Sequence, residues 1–242
     1  MSVEHAVVLA AGRGARLAAE AGSLPKPLVP VGARPAIAHI LDGLRDAGFT
    51  RIVIVTGYRA GTLEAELGNG AAAGIQLEYA RQENLDGPAR ALWHARELLG
   101  TDQFLFTCGD VLVPWENYRR VLSAARFAAG AIAVDRTDFP GRGTIAVDAS
   151  DGNGPVTAAS VAPGELRTSW YCAGFGVLPP ETWPAIETMP PAPTGEYELE
   201  PVIDVLAREG QAIRAVPVDG PCIDISTSRT LARARETFGG RR

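Results

Sequence analysis

The chain has 242 residues, 46% of them hydrophobic, with a formal net charge of −5 and three cysteines. This length suits one large domain, or a core with a small appendage, and the apolar fraction is enough for a sizeable core. The acidic balance excludes a chain-wide basic field for nucleic acid, and Cys108, Cys172 and Cys222 fit neither a disulfide framework nor a zinc site.

Taken in chain order, apolar β-rich runs alternate with helical patterns. Residues 6–10 predict a strand, 35–47 a helix, 51–56 a strand and 60–67 a helix. A strand at 75–80, a helix at 88–99, a strand at 103–108 and a helix at 115–128 follow. Pro35 and Pro88 suit the first turns of their helices, where a missing N–H costs little. Beyond residue 130, strands are expected at 131–135, 144–148 and 170–177, and helices at 197–209 and 228–238. The stretches 139–143 and 179–195, rich in Pro and Gly, predict loops. The alternation predicts an α/β fold with a mixed, mostly parallel, Rossmann-like sheet flanked by helices. The whole of 1–242 reads as a single domain, whose pattern changes at about residue 130.

No secretory leader is evident at Met1-Ser-Val-Glu-His5. No apolar run reaches about eighteen residues, so no membrane span is expected. A cytoplasmic location is the default.

The first strand runs into Leu9-Ala-Ala-Gly-Arg-Gly-Ala-Arg-Leu17, and Pro25-Lys-Pro-Leu28 follows shortly after. Gly12 and Gly14 let the backbone turn sharply and bring N–H groups close to an anion. Arg13, Arg16 and Lys26 add cations nearby. This combination suits a polyphosphate. A plain strand-to-loop turn with solvated arginines is the alternative. Leu17 occupies the place where a dinucleotide fingerprint needs a third small residue, and no Walker-type Gly-Lys-Ser/Thr is present.

A second apolar run, Phe104–Cys108, is followed by Gly109-Asp110. A carboxylate at the carboxyl end of a parallel strand faces the ligand crevice of an open α/β sheet. Asp110 therefore reads as a Mg²⁺ ligand beside nucleotide phosphates, because Mg²⁺ takes one or two carboxylates and fills its shell with phosphate and water. A turn or helix-cap aspartate is the other reading.

Together these residues resemble the sugar-1-phosphate nucleotidyltransferases, whose opening signature is Leu-Ala-Gly/Ala-Gly-x-Gly-x-Arg-Leu, then a loop, then Pro-Lys-Pro-Leu. Ala15 stands where Thr is usual, and the loop before Lys26 lacks the common Pro-Leu-Thr. The resemblance runs from Val7 to about Phe238 and implies a GT-A-like core. It closely follows the N-acetylmuramate 1-phosphate uridylyltransferases and glucose-1-phosphate thymidylyltransferases. It implies nucleotide contacts from Leu9, Ala11, Gly12, Arg13 and Gly14. Arg16 and Lys26 would stabilise charge on the departing pyrophosphate. Asp110 would be joined as Mg²⁺ ligand by Asp224, in Gly220-Pro-Cys-Ile-Asp-Ile-Ser-Thr-Ser228. There Cys222, Ser226 and Ser228 replace the usual Trp, Gly and Pro. A cap for the following helix would not by itself explain Asp224, because Ser226, Thr227 and Ser228 already offer cap side chains.

Gln82 and Gly87, five apart after the third strand, are spaced as in relatives that use UTP or dTTP. An amide both donates and accepts, so Gln82 suits a pyrimidine edge. Gly87 would let the backbone approach the base. In the acceptor region, the usual Glu-Lys-Pro is missing; the stretch reads Thr157-Ala-Ala-Ser-Val-Ala-Pro-Gly164. Gly143, Cys172 and Gly174 match sugar-lining positions, and Glu196, in the Gly195-Glu-Tyr-Glu-Leu199 entry to a helix, would contact sugar hydroxyls or cap that helix. Arg142 and Arg167 are candidates to compensate for the missing lysine. Trp170 reads as a core residue in preference to a sugar platform.

The implied reaction joins a sugar 1-phosphate to an NTP, giving an NDP-sugar and pyrophosphate. A phosphate monoester is already ionised, so no general base is required, in keeping with the lack of a convincing catalytic His. Expected partners are the nucleoside triphosphate and the sugar 1-phosphate. Relatives are often dimers or tetramers, so self-association is a further expectation. Three alternatives remain open: a cytidylyl- or guanylyltransferase for another sugar 1-phosphate, one for a non-sugar phosphate such as phosphocholine, and a non-catalytic nucleotide sensor.

Overall fold

The computed structural model describes residues 3–17, 20, 22–136, 143–161, 166 and 170–240. A nine-stranded sheet runs through the molecule. Its first half contains β1 (His5–Leu9), β4 (Arg51–Thr56), β5 (Gln76–Arg81) and β6 (Phe104–Cys108), all parallel. The short β2 (Pro30–Val31) and β3 (Arg34–Pro35) form a separate ribbon. In the second half, β8 (Gly130–Arg136), β9 (Thr144–Val147), β10 (Val156–Ser160), β11 (Trp170–Leu178) and β12 (Ile213–Pro217) complete the sheet. Here β11 is antiparallel to β6, β8 and β9. The main order is β10-β9-β11-β6-β1-β4-β5, with β8 pairing both β11 and β12. A two-strand ladder of β7 (Val111–Leu112) and β13 (Ile223–Asp224) sits at the end of β6.

Side chains alternate across a strand, so each central strand feeds two cores. Ala6 and Val8 of β1 join one cluster, and Val7 joins the other. On the first face pack α1 (Ala36–Ala47), α2 (Ala60–Leu67), α4 (Glu116–Ala125) and α7 (Ser228–Phe238) through residues such as Ile37, Leu63, Val121 and Leu231. On the second face pack α3 (Pro88–Leu99), α5 (Thr182–Thr188) and α6 (Leu199–Arg208) through Leu92, Ile186 and Val202. Burial on both faces explains the near-continuous apolar runs of the parallel strands.

The elements of the first half match the expectations to within a residue or so, except that α4 stops at Ala125, short of residue 128. Pro35 is the residue before α1, where its fixed φ of −65° leads into the helix. Pro88 does stand in the first turn of α3. Besides the two-residue β13, three elements of the second half escaped the sequence. The expected loop 179–195 contains α5, whose Pro184 falls in the first turn and so costs no helical bond. β10, Val-Thr-Ala-Ala-Ser, is an edge strand poor in bulky β-formers. β12 ends in Pro217 and forms by pairing along its length with β8. Most of the expected loop 139–143 lies outside the described residues. No helix among the described residues is long and apolar enough to cross a membrane.

Candidate active site

At the carboxyl ends of β1, β5 and β6 lie two adjoining cavities of about 560 and 610 Å³. The first is lined by Leu9, Ala11, Gly12, Arg13, Gly14, Lys26, Gln82, Gly87 and Glu196, among others. The second takes Arg16, Gly143, Cys172, Gly174 and Asp224. Pro88, Cys108 and Asp110 border both. The cavities thus lie where the crevice rule for open sheets puts them, and the candidate site residues lie on one or the other, Arg142 and Arg167 apart. Arg16 and Glu196 are placed differently from their expected roles: Arg16 borders the second cavity and Glu196 the first.

The glycine-rich turn is anchored at both sides of β1. Gly109 N–H donates to Leu9 O at 2.9 Å, and Tyr58 N–H donates to Ala11 O at 2.9 Å. A Cβ on Gly12 would meet nothing within 4 Å, so its backbone stands open to the cavity. Gly14 has φ +62°, and a Cβ there would lie 2.8 Å from Lys26 Cβ. The bare Gly14 therefore lets the lysine stem pass beneath the turn.

Lys26 itself sits in a short turn, Lys26–Leu28, set between Pro25 and Pro27. Two fixed φ angles limit where its side chain can aim. The residue is buried, at 9% exposure, and its ammonium bonds the Asp110 carboxylate and lies 3.6 Å from Asp224 Oδ1. Both carboxylates reach it because β7 and β13 are paired: Ile225 N–H donates to Asp110 O at 3.0 Å. Thr227, with Thr230, forms the capping box of α7, so Asp224 is not needed as a cap.

The two aspartates fit a Mg²⁺ ion. They are hard oxygen ligands brought onto one point, and the described residues add no third acid to them, as suits an ion that completes its shell with phosphate and water.

Gln82 is buried, at 4% exposure. Its Nε2 donates to Asp86 Oδ1 at 2.9 Å and to Gly87 O at 3.0 Å. Both partners are acceptors, which fixes the amide orientation and turns Oε1 away from them.

In the second cavity Gly174 has φ +85° at an irregularity of β11, and a Cβ there would lie 3.0 Å from Val111 Cγ2. A Cβ on Gly143 would lie 2.5 Å from Glu200 Oε1. Burial, then the neighbouring charge of Asp110, raises the Cys108 thiol well above its usual range. Burial and the charge of Glu196 raise the Glu198 carboxyl. Glu198 and Glu200 were not singled out in the sequence. Their alternation with Glu196 in Gly195-Glu-Tyr-Glu-Leu-Glu200 was the available signal. Trp170 lines neither cavity and packs on Gly152, with Arg136 4.7 Å from its ring centre, as a framework residue. None of the three histidines lines either cavity. Arg142 and Arg167 lie outside the described residues.

Comparison with known proteins gives the family and the fold. A family model described as "Nucleotidyl transferase" matches residues 5–157. UTP–glucose-1-phosphate uridylyltransferase AglF of Haloferax volcanii is 31% identical over 223 residues, covering 91% of this chain and 90% of the relative. A glucose-1-phosphate thymidylyltransferase of Streptomyces griseus is 28% identical, covering 89% of this chain. The chain spans only 60% of that relative's length. A crystal structure of UDP-glucose pyrophosphorylase complexed with UDP-glucose superposes with a TM-score of 0.87 at 18% identity, covering 99% of this chain and 100% of that one, a likeness of fold.

Proposed function

The chain belongs to the nucleotidyl transferase family, and from that premise we propose that it transfers a nucleotidyl group from UTP or dTTP to a sugar 1-phosphate. The observation that carries this reading is the meeting of two cavities at the Lys26–Asp110–Asp224 cluster. A phosphate oxygen of the acceptor forms a bond to the α-phosphorus. The bond from that phosphorus to the bridging oxygen breaks, and pyrophosphate leaves with its electron pair. No proton needs to be removed from the ionised monoester.

Repulsion between two anions is the first obstacle, so catalysis here is positioning and charge stabilisation. The open backbone at Gly12 receives the triphosphate. Arg13 lines the nucleotide side, and Lys26 stabilises charge on the leaving group. Arg16, on the acceptor side, holds the incoming phosphate. Asp110 and Asp224 would hold Mg²⁺, which neutralises phosphate charge when bound. Gln82 Oε1 is left to accept a hydrogen bond, and uracil and thymine offer N3–H to it. Gly143, Cys172 and Gly174 line the side where the sugar would sit. The reaction belongs in the cytoplasm, with the chain acting as one domain, alone or as a homo-oligomer.

A second reading keeps the chemistry and changes the acceptor to a phosphate bearing a cation, such as phosphocholine, used with CTP. Glu198 and Glu200 on the acceptor cavity favour it. The deciding experiment is pyrophosphate release with Mg²⁺, crossing UTP, dTTP, CTP, GTP and ATP with a panel of sugar 1-phosphates and phosphocholine. A signal with UTP or dTTP and one sugar 1-phosphate is expected. Release only with CTP and phosphocholine moves the assignment to the second reading. No release with any pair, alongside nucleotide binding, would leave a nucleotide sensor.

A further inference from the structure

The segment between the two cavities is tied to the base-reading loop at the backbone. Tyr197 N–H donates to Asp86 O at 2.7 Å, and Ala89 N–H donates to Tyr197 O at 2.9 Å. Gly87 lies between these bonds with φ +111°, and a Cβ on it would sit 2.5 Å from both Tyr197 N and Tyr197 O. Glycine at 87 is thus required by the close approach of Tyr197, not by the base alone. Arg90 of α3 lies 4.3 Å from the Tyr197 ring centre and clamps it from the other side.

Each end of this tie reaches a different substrate. Toward the nucleotide, the Gln82 amide bonds Asp86 and Gly87, the residues that flank the contact. Toward the acceptor, Ala192 N–H donates to Glu196 O and Gly195 N–H donates to Ala192 O, both at 2.8 Å, closing a turn. Ala192, Thr194, Glu198 and Leu199 are walls of the second cavity. Hydrogen bonds therefore run from the amide that meets the base to the wall that meets the acceptor.

Resting on the functional reading above, we infer that Tyr197 is a positioning residue that couples the two cavities. A base held by Gln82 fixes residues 86–89, and these fix residues 192–199 in the shape the acceptor needs. Binding linkage is reciprocal, so the acceptor tightens the nucleotide by the same factor.

The test is the Gly87→Ala variant, which drives a methyl into the Tyr197 backbone, with Arg90→Ala as the milder companion. In Gly87→Ala the acceptor KM rises about tenfold along with the nucleotide KM. Arg90→Ala shows the same pattern at smaller size. A rise confined to the nucleotide KM in both variants would overturn the coupling, and so would a lowered Tm with both KM values unchanged. Hydrogen exchange on the wild-type chain separates this inference from the functional reading. The nucleotide that protects residues 82–89 should also protect 192–199 with no acceptor present, whatever the acceptor proves to be. Protection limited to 82–89 sinks the coupling even if the enzyme turns over. Turnover failure with every pair, but with protection of both segments, overturns the assigned reaction and leaves the coupling standing.

Discussion

The two cavities that meet at Asp110 are built from different materials. The first is rich in glycine and alanine, which leave backbone at its surface: the Gly12–Gly14 turn, the Gly87 loop and the ends of β1 and β6. The second takes side chains from separated segments, including Arg16, Cys172, Glu198, Glu200 and Asp224. A backbone wall needs particular φ values and small residues, and few sequences provide them. A side-chain wall can be rebuilt one residue at a time on the same frame. One frame can therefore keep its hold on a triphosphate while the acceptor changes.

The comparison can be tested hardest where the two cavities join. Lys26→Ala removes a buried cation that faces two carboxylates, and Asp110→Ala removes one of those carboxylates. Each should lower kcat by about 10²-fold or more, measured as pyrophosphate release. Chelating Mg²⁺ with EDTA should abolish release, and added Mg²⁺ should restore it. Next in size is Gly14→Ala. Its positive φ costs an alanine about 1–2 kcal/mol, and its Cβ would press on the Lys26 stem. A fall in both melting temperature and kcat is expected, and an unchanged kcat would show that the turn does not aim the lysine.

A smaller effect is expected at Gln82. Gln82→Ala removes one neutral hydrogen bond to the base, so preference among nucleotides should shrink by about tenfold. Competition between UTP and CTP in one reaction measures this directly. The smallest effect marks the border of the site. Thr227→Ala loses the α7 capping box and should cost about 1 kcal/mol. That lowers Tm by roughly 2–4 °C in a chain of this size. Because Thr227 touches neither cavity, kcat/KM should hold.

The contrast between cavities also explains which parts were legible in the sequence. Parallel strands buried on both faces leave long apolar runs, and α3 announces itself with Gly87-Pro88. Gly12, Gly14 and Lys26 sit within one short stretch, so their cooperation can be read along the chain. Asp224 was reachable only through its resemblance, since its pairing with Asp110 depends on β7 meeting β13. Glu198 and Glu200 gave only a local alternation of acids, which a solvated helix start would also show. β12 was hidden because its five residues become a strand by pairing with β8. The α5 helix was hidden by Pro184, which signals a loop unless one counts its place in the first turn.

The position of β11 sets a limit on dividing the molecule. Its Phe175 pairs with Thr107 of β6, and its Tyr171 with Thr144 of β9, so one strand stitches the two halves into a single sheet. A fragment ending near residue 130 would carry the whole glycine-rich turn and Asp110, yet it would expose the flank of β6 as a raw edge. Such edges recruit other strands and aggregate. Grafting a new second half onto the first 130 residues would fail for the same reason unless the graft supplied its own β11. Transplants that respect the weave, exchanging loops around an intact β11, are the ones this architecture permits.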